Sequence, residues 1–268
     1  QWQISTDGLT GWTDIVSATT DSYTIASDQS QVGKYLRVVG TTTDILGGTT
    51  TFTSASTAAI TNVDDIATGT LTTGGTVAEG GTLTSTLTAT DPDGTFTAAY
   101  QWQISTDGLT GWTDIASETG SSYTIASDQS QVGKYLRVVA VTTDVLGGHT
   151  TFTSASTVAV QNVDDAATGT LTTGGTLAEG GTLTSTLAAT DPDGSFTAAY
   201  QWQISDNGTT GWTDIASATT DSYTIASDQS QVGKYLRVVA VTTDALGGHT
   251  TFRSESTVAV QNVDDIAT

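Results

Sequence analysis

The chain contains no cysteine and no methionine, two prolines, two histidines, and seven cationic side chains against 28 acidic ones. Each shortage excludes something. Without cysteine no disulfide can staple the fold, so stability must come from a packed core, from bound metal, or from both. A formal net charge of −21 leaves too few Lys and Arg to displace counterions from nucleic acid, and it repels anionic lipid. It suits solubility, high salt or the binding of divalent cations. No stretch reaches the roughly 18 consecutive apolar residues of a membrane helix, so no membrane insertion is expected here. No signal peptide is present either, and if the protein is secreted its export signal is expected outside these residues. The two histidines, His149 and His249, face Thr49 at the matching place in the first copy, which suits a polar turn residue better than a catalytic one. There is no Gly-x-Ser-x-Gly elbow, no His-Glu-x-x-His and no phosphate loop. No enzyme is expected.

What is abundant is threonine, with Val, Ile, Tyr, Trp and 29 glycines, a composition that favours strands separated by many turns. Above all, the sequence repeats. Gln1-Trp2-Gln3-Ile4-Ser5 returns at 101–105 and 201–205, and Lys34-Tyr35-Leu36-Arg37 at 134–137 and 234–237, without insertion or deletion. The copies differ at few places, such as Glu118 against Ala18 and Ala218, Leu109 against Thr209, and Thr153 against Arg253. A period of 100 residues exceeds the ~20–50 of a solenoid repeat and matches a domain that folds by itself. The junction is placed at Asn62-Val63-Asp64-Asp65, repeated at 162–165 and 262–265. Complete domains are therefore expected at 66–165 and 166–265, with 266–268 opening a further copy. Residues 1–65 read as the back part of a domain whose first strands are missing. Either the chain is an excerpt of a longer array, or another subunit supplies those strands.

Within a copy, Leu83, Ser85, Leu87 and Ala89 alternate with threonines, and Tyr100, Trp102 and Ile104 alternate with Gln101 and Gln103, the period-2 pattern of half-buried strands. Strands are expected at 69–73, 82–90, 98–105, 112–115, 122–126, 135–144 and 150–160. Seven or eight short strands in 100 residues predict an all-β fold of tandem antiparallel β-sandwich domains, Ig-like or cadherin-like, with Trp102 as the core tryptophan of the third strand. Arg37, Arg137 and Arg237 are expected on the outer face, paired with acidic side chains. Trp112 is expected to pack on its own sheet edge.

The acidic residues cluster. Asp64 and Asp65 lie at the junction, Glu79 in the first loop, and Asp91 and Asp93 flank Pro92 ahead of Gly94. Calcium needs six to eight oxygens, and Asp-x-Asp-Gly places two carboxylates on one turn. On spacing alone an ordinary turn and a solvated linker explain these residues equally well. Asp44, Asp144 and Asp244, before the Leu-Gly-Gly turns, and Asp14, Asp114 and Asp214 read as capping or solvated groups.

Tyr100-Gln101-Trp102-Gln103, Ser122-Tyr123-Thr124-Ile125, Val132-Gly133 before Leu136-Arg137-Val138, and Asn162-Val163-Asp164-Asp165 ahead of Thr168-Gly169-Thr170 and Ala178-Glu179-Gly180 together resemble the tandem Ig-like (cadherin-like) repeats of giant bacterial surface adhesins, including RTX-type adhesins. The resemblance covers the whole repeat. It departs at the junction, where the family often has Asn-Asp followed by Pro, and this sequence has Asp-Asp followed by Ile or Ala. It implies an extracellular extender on a bacterial cell surface, stiffened by Ca2+ at inter-domain sites, between an anchor and a binding tip. The ligand set so implied is Asp64, Asp65, Glu79, Asp91 and Asp93, repeated at Asp164, Asp165, Glu179, Asp191 and Asp193. The expected partners are neighbouring repeats of the same chain. The alternatives are a self-assembling extracellular filament or surface-layer subunit, using other copies of the protein, and a multivalent module binding surface glycans.

Overall fold

The computed structural model describes residues 1–264. Asp265 of the third junction and the expected start of a further copy at 266–268 lie outside the described residues. Every regular element among the described residues is a β-strand, and these strands pair antiparallel, with isolated parallel bridges joining Ala78 to Gln161 and Ala178 to Gln261. The chain divides into two compact units, one formed by Gln1–Thr76, Thr82–Thr124 and Lys134–Ala159, the other by Val77–Gly81, Ile125–Gly133 and the residues from Val160 onward.

The second unit contains the complete set of strands of one repeat. Thr168–Gly175, Thr182–Thr190 and Ser222–Thr224 form a three-stranded sheet, in that order. Thr213–Asp214, Thr197–Ser205, Tyr235–Thr243 and His249–Arg253 form a four-stranded one. Thr168–Gly175 packs across Tyr235–Thr243 and His249–Arg253, which closes the two sheets face to face as an Ig-like β-sandwich. Alternation fills the space between them. Leu171, Leu183, Trp202, Ile225, Leu236, Val238, Ala240 and Val260 are buried in one cluster, while the threonines between them face out.

The first unit repeats these elements. Thr68–Gly75, Thr82–Thr90 and Ser122–Thr124 pair as before, and so do His149–Thr153, Tyr135–Asp144, Phe96–Ser105 and Thr113–Asp114. Trp102 is fully buried on the third strand of its repeat, as the alternation predicts. Its indole N–H donates to the Gly120 carbonyl at 3.0 Å, and its ring lies 5.6 Å from that of Tyr123. Residues 1–65 contribute only the four-stranded sheet, Thr13–Asp14, Trp2–Ser5, Tyr35–Thr43 and Thr49–Thr53.

Two sequence expectations change. The strand predicted at 150–160 pairs regularly only over His149–Thr153. Beyond it Ser154 and Thr157 still donate to Val138 and Leu136, but off the regular ladder. Among the described residues Arg37, Arg137 and Arg237 are not paired with acids. Arg137 Nε donates to Gln103 Oε1 at 2.8 Å, and its guanidinium lies 4.3 Å over the Trp112 ring. The same stack recurs at Arg37–Trp12 and Arg237–Trp212. A planar cation stacks on indole with little loss of hydration, so Trp112 serves as the arginine's platform. The nearby carboxylate, Asp114, is taken by Gln103 Nε2 at 2.8 Å.

Candidate metal centre

Asp91-Pro92-Asp93-Gly94 is a turn and also a carrier of carboxylates. Gly94 donates to the Asp91 carbonyl at 3.1 Å. Its φ of +109° is one that only glycine adopts without strain. The Asp93 N–H donates to Asp91 Oδ1 at 2.9 Å, which fixes Asp93 pointing toward the junction. There the Asp65 N–H donates to Asp93 Oδ2 at 2.6 Å. In the second unit the Asp165 N–H meets Asp193 Oδ2 at 2.7 Å.

Around this contact two groups of oxygens form. The first joins Asp64, Asp93 and Asp144, one carboxylate oxygen from each lying within 4.8 Å of the others. Asp164, Asp193 and Asp244 do the same in the second unit. Asp144 is anchored by the N–H groups of Leu146 and Gly148, which donate to its Oδ1 at 2.6 and 3.1 Å. The Asp64 carboxylate occupies the place a side chain at residue 148 would take. A Cβ built on Gly148 would sit 1.7 Å from Asp64 Oδ1 and 2.4 Å from Asp144 Oδ2, and on Gly248 it would sit 1.7 Å from Asp164 Oδ1.

The second group shares Asp93 or Asp193. Gln129 Nε2 lies 3.2 Å from Glu79 Oε2, 2.7 Å from Asn162 Oδ1 and 3.0 Å from Asp193 Oδ1. An amide nitrogen has two hydrogens for these three acceptors, so oxygens converge on a point where a positive group is wanted. In the first unit Gln29 Nε2 reaches Asp65 Oδ2 at 2.8 Å and Asp93 Oδ1 at 2.9 Å. There Asn62 Oδ1 is buried without a donor, as is Glu179 Oε2 in the second unit. Buried acceptors without donors are costly unless a cation or water serves them.

The electrostatics run the same way. The Asp64 carboxyl is pushed above its ordinary range by the hydrogen bond it shares with Asp144, by desolvation, and by the charges of Asp144, Asp93 and Asp91. Asp164 is raised likewise beside Asp244. Burial raises Glu79, opposed by the Val163 N–H and reinforced by Asp165 and Asp193. A carboxyl whose folded pKa is raised binds its proton more tightly folded than unfolded, so stability is gained as pH falls through the raised range. Asp107 and Asp128 are lowered by local hydrogen bonds, and their contribution is lost only below the ordinary carboxylate range. In chelator, therefore, the melting temperature should rise as pH is taken from 7 toward that range, and fall beyond it. Thermal melts across this pH range in chelator check the sign, and a monotonic fall from neutrality would contradict it.

The structure regroups the residues expected from sequence. Asp64, Asp91 and Asp93 come together, and Asp65 joins Asp93 through its backbone. Asp164, Asp165, Asp191 and Asp193 repeat this. Glu79 does not join Asp64 and Asp65. It stands with Asp165 and Asp193, because Val77–Gly81 runs beside residue 161. Glu179 correspondingly turns to the next junction, accepting from the Val263 N–H at 3.2 Å. Asp144 and Asp244, which read as turn caps, do cap their turns and also complete the clusters.

A family model described as "Domain of unknown function (DUF8696)" matches residues 67–162. No curated protein matches the chain. Similar solved structures include one titled "Ca2+-stabilized adhesin helps an Antarctic bacterium reach out and bind ice", at 18% identity and TM-score 0.34, covering 86% of this chain and 57% of that one. Another is the "tetra-tandem repeat in extending region of large adhesion protein", at 18% identity and TM-score 0.25, covering 84% and 56%. A third, of protocadherin gamma B2 extracellular cadherin domains, has 9% identity and TM-score 0.39, covering 87% and 46%. The chain thus spans little more than half the length of these two adhesin structures.

Proposed function

We propose that the chain is an extender segment of a secreted bacterial cell-surface adhesin, built from repeats at 66–165 and 166–265, with Ca2+ at the junctions holding each repeat to the next. The adhesin assignment is supported by the repeated Tyr-Gln-Trp-Gln, Ser-Tyr-Thr-Ile and Asn-Val-Asp-Asp motifs. The calcium assignment rests on one observation, the convergence of Asp64, Asp93 and Asp144 in a protein with so few cationic side chains. Among the described residues, the one ion pair is Lys234–Asp206, so no side-chain cation neutralises the cluster.

The donor set fits a hard cation that takes carboxylate and amide oxygens. Asp64, Asp93 and Asp144, with Asp91 beside them, would hold one ion. Asp165, Asp193, Asn162 and Glu79 would hold a second after Gln129 withdraws. The ion supplies positive charge where carboxylates from distant sequence positions face one another. Asp64 reaches Asp144 across 80 residues, which ties the tail of one copy to the head of the next. Near-identical copies suit a part whose role is length.

Small-angle scattering of the 268-residue chain in millimolar Ca2+ and in chelator tests this. Chelation should shorten the maximum dimension and give the profile of a flexible chain, with a lower melting temperature. Identical profiles and melts in both conditions would sink the calcium mechanism and return the clusters to solvated turns.

A further inference from the structure

Asn62, Asn162 and Asn262 each precede valine, whereas the remaining asparagine, Asn207, precedes Gly208. A β-branched side chain shields its own N–H from the side chain before it, and a glycine does not. The Asn-Gly pair belongs to the third copy alone, since Asp7 and Asp107 hold the corresponding places in the others. Asn207 is exposed. Gly208 is dictated by the fold: its φ is +71°, and a Cβ there would sit 2.7 Å from Tyr235 Cδ1. Such a backbone suits glycine.

The loop is wrapped around the Asn207 side chain. Its Oδ1 accepts from the Thr209 N–H at 2.9 Å, the Thr210 N–H at 2.8 Å and the Thr209 hydroxyl at 3.0 Å. Its Nδ2 donates to Thr210 Oγ1 at 2.9 Å. The Ser205 hydroxyl donates to the Thr210 carbonyl at 2.6 Å, so its lone pairs are free to accept the Gly208 N–H at 3.2 Å. In the second copy the same loop holds a carboxylate. Asp107 Oδ1 accepts from the Leu109 and Thr110 N–H groups at 2.8 and 2.7 Å, and its Oδ2 from the Thr110 hydroxyl at 2.7 Å. These bonds keep the Asp107 carboxyl well below the ordinary range. The loop is thus a nest for negative oxygen, and in the third copy it encloses a neutral amide.

We propose that Asn207 is a self-modifying site, where the folded loop converts the asparagine chiefly to the aspartate that the other copies encode. The Gly208 nitrogen loses its proton to solvent and bonds to Asn207 Cγ. The negative charge that develops on Oδ1 lies under the Thr209 and Thr210 donors, which stabilise it as an oxyanion hole does. The Cγ–Nδ2 bond then breaks, and Nδ2 takes a proton from water and leaves as ammonia, giving a cyclic imide. Water reopens the ring. Addition at Cγ breaks the new bond to Gly208 and gives aspartate, whereas addition at the main-chain carbonyl gives isoaspartate. One water is consumed for each ammonia released, with no change of oxidation state. The donors still polarise the Cγ carbonyl of the imide, which directs water there. Isoaspartate would also insert a methylene into the main chain and pull Gly208 away from Tyr235 and Ser205.

The test incubates the 268-residue chain in mildly alkaline buffer made with oxygen-18 water, folded and in urea, and follows each asparagine by peptide mass spectrometry. Isoaspartate is counted separately by enzymatic methylation. In the folded chain Asn207 should convert at least tenfold faster than Asn62 or Asn162, at least as fast as in urea, with one heavy oxygen gained and aspartate as the main product. In urea, where the nest is gone, isoaspartate should dominate. An Asn207 that persists in the folded chain while the unfolded chain converts would show that the loop protects the amide, and overturns the proposal. So does isoaspartate as the main product of the folded chain. Thr209→Leu places the residue of the other copies at this position, so the loop should fold, and it removes one donor to Oδ1. Conversion should slow several-fold with the melting temperature kept, and an unchanged rate also overturns the proposal. Asn207→Asp supplies the end product as a standard and should migrate with the converted chain on ion exchange; a converted chain that separates from it counts against aspartate as the product.

Discussion

Trp102→Ala should lower the stability of its repeat by about 3–5 kcal/mol, the cost of a fully buried large aromatic whose cavity cannot collapse. At roughly 4–8 °C per kcal/mol for a domain of this size, the melting temperature should fall by well over 10 °C. Trp102 has no exposed surface, packs on Tyr123, and satisfies its indole N–H on the Gly120 carbonyl. No disulfide shares its task. Trp202→Ala should behave alike, since Trp202 is equally buried and donates to the Thr220 carbonyl at 3.0 Å. Trp2→Ala is the control. Trp2 occupies the same position with its face only partly covered, so its loss should cost clearly less. Chemical denaturation followed by circular dichroism measures all three. Equal losses for Trp2 and Trp102 would show that the first hairpin does not close the core over this tryptophan.

Gly148→Ala should weaken calcium binding at least tenfold, about 1.4 kcal/mol, because the added methyl occupies the seat of the Asp64 carboxylate. The adjacent Gly147 separates this effect from simple turn strain. Gly147 has φ +91° with open space around its Cβ position, so Gly147→Ala should destabilise by about 1 kcal/mol or more through backbone strain and leave the affinity intact. Titration calorimetry with Ca2+ on both variants reads the difference. Wild-type affinity in Gly148→Ala would mean that Asp64 is not a ligand.

The sandwich was legible because burial alternates along a strand. Leu83, Trp102, Leu136, Val138 and Ala140 stand out against threonine and glutamine, and all are buried. Tyr135–Asp144 matches its predicted bounds, while the less regular return over 154–160 does not, because only its first five residues keep the ladder. The grouping of the carboxylates was half legible. Asp91 and Asp93 announce themselves by sharing a turn with a glycine. Asp144 does not, since its bonds to Leu146 and Gly148 are those of an ordinary cap. The usable signal was the second glycine of its turn. Gly147 supplies the left-handed conformation, so Gly148 has another reason to lack a side chain, and that reason is Asp64. Glu79 was misplaced because sequence proximity to Asp64 and Asp65 suggested one cluster, whereas the strand pairing carries its segment to residue 161. The Arg137–Trp112 stack was missed for a different reason: in an acidic chain Arg37, Arg137 and Arg237 were assigned acidic partners, and the planar geometry of guanidinium on indole leaves no trace in spacing.

The cluster members lie at 64, 93 and 144 in one unit and at 164, 193 and 244 in the other, so each is displaced by the same 100 residues that separate the copies. A junction is therefore defined by offsets within the period and not by any residue peculiar to one copy. An in-frame gain or loss of one period by recombination between copies would rejoin a tail and a head that already match. The length of such a gene product can drift over generations without any compensating substitution at the joints.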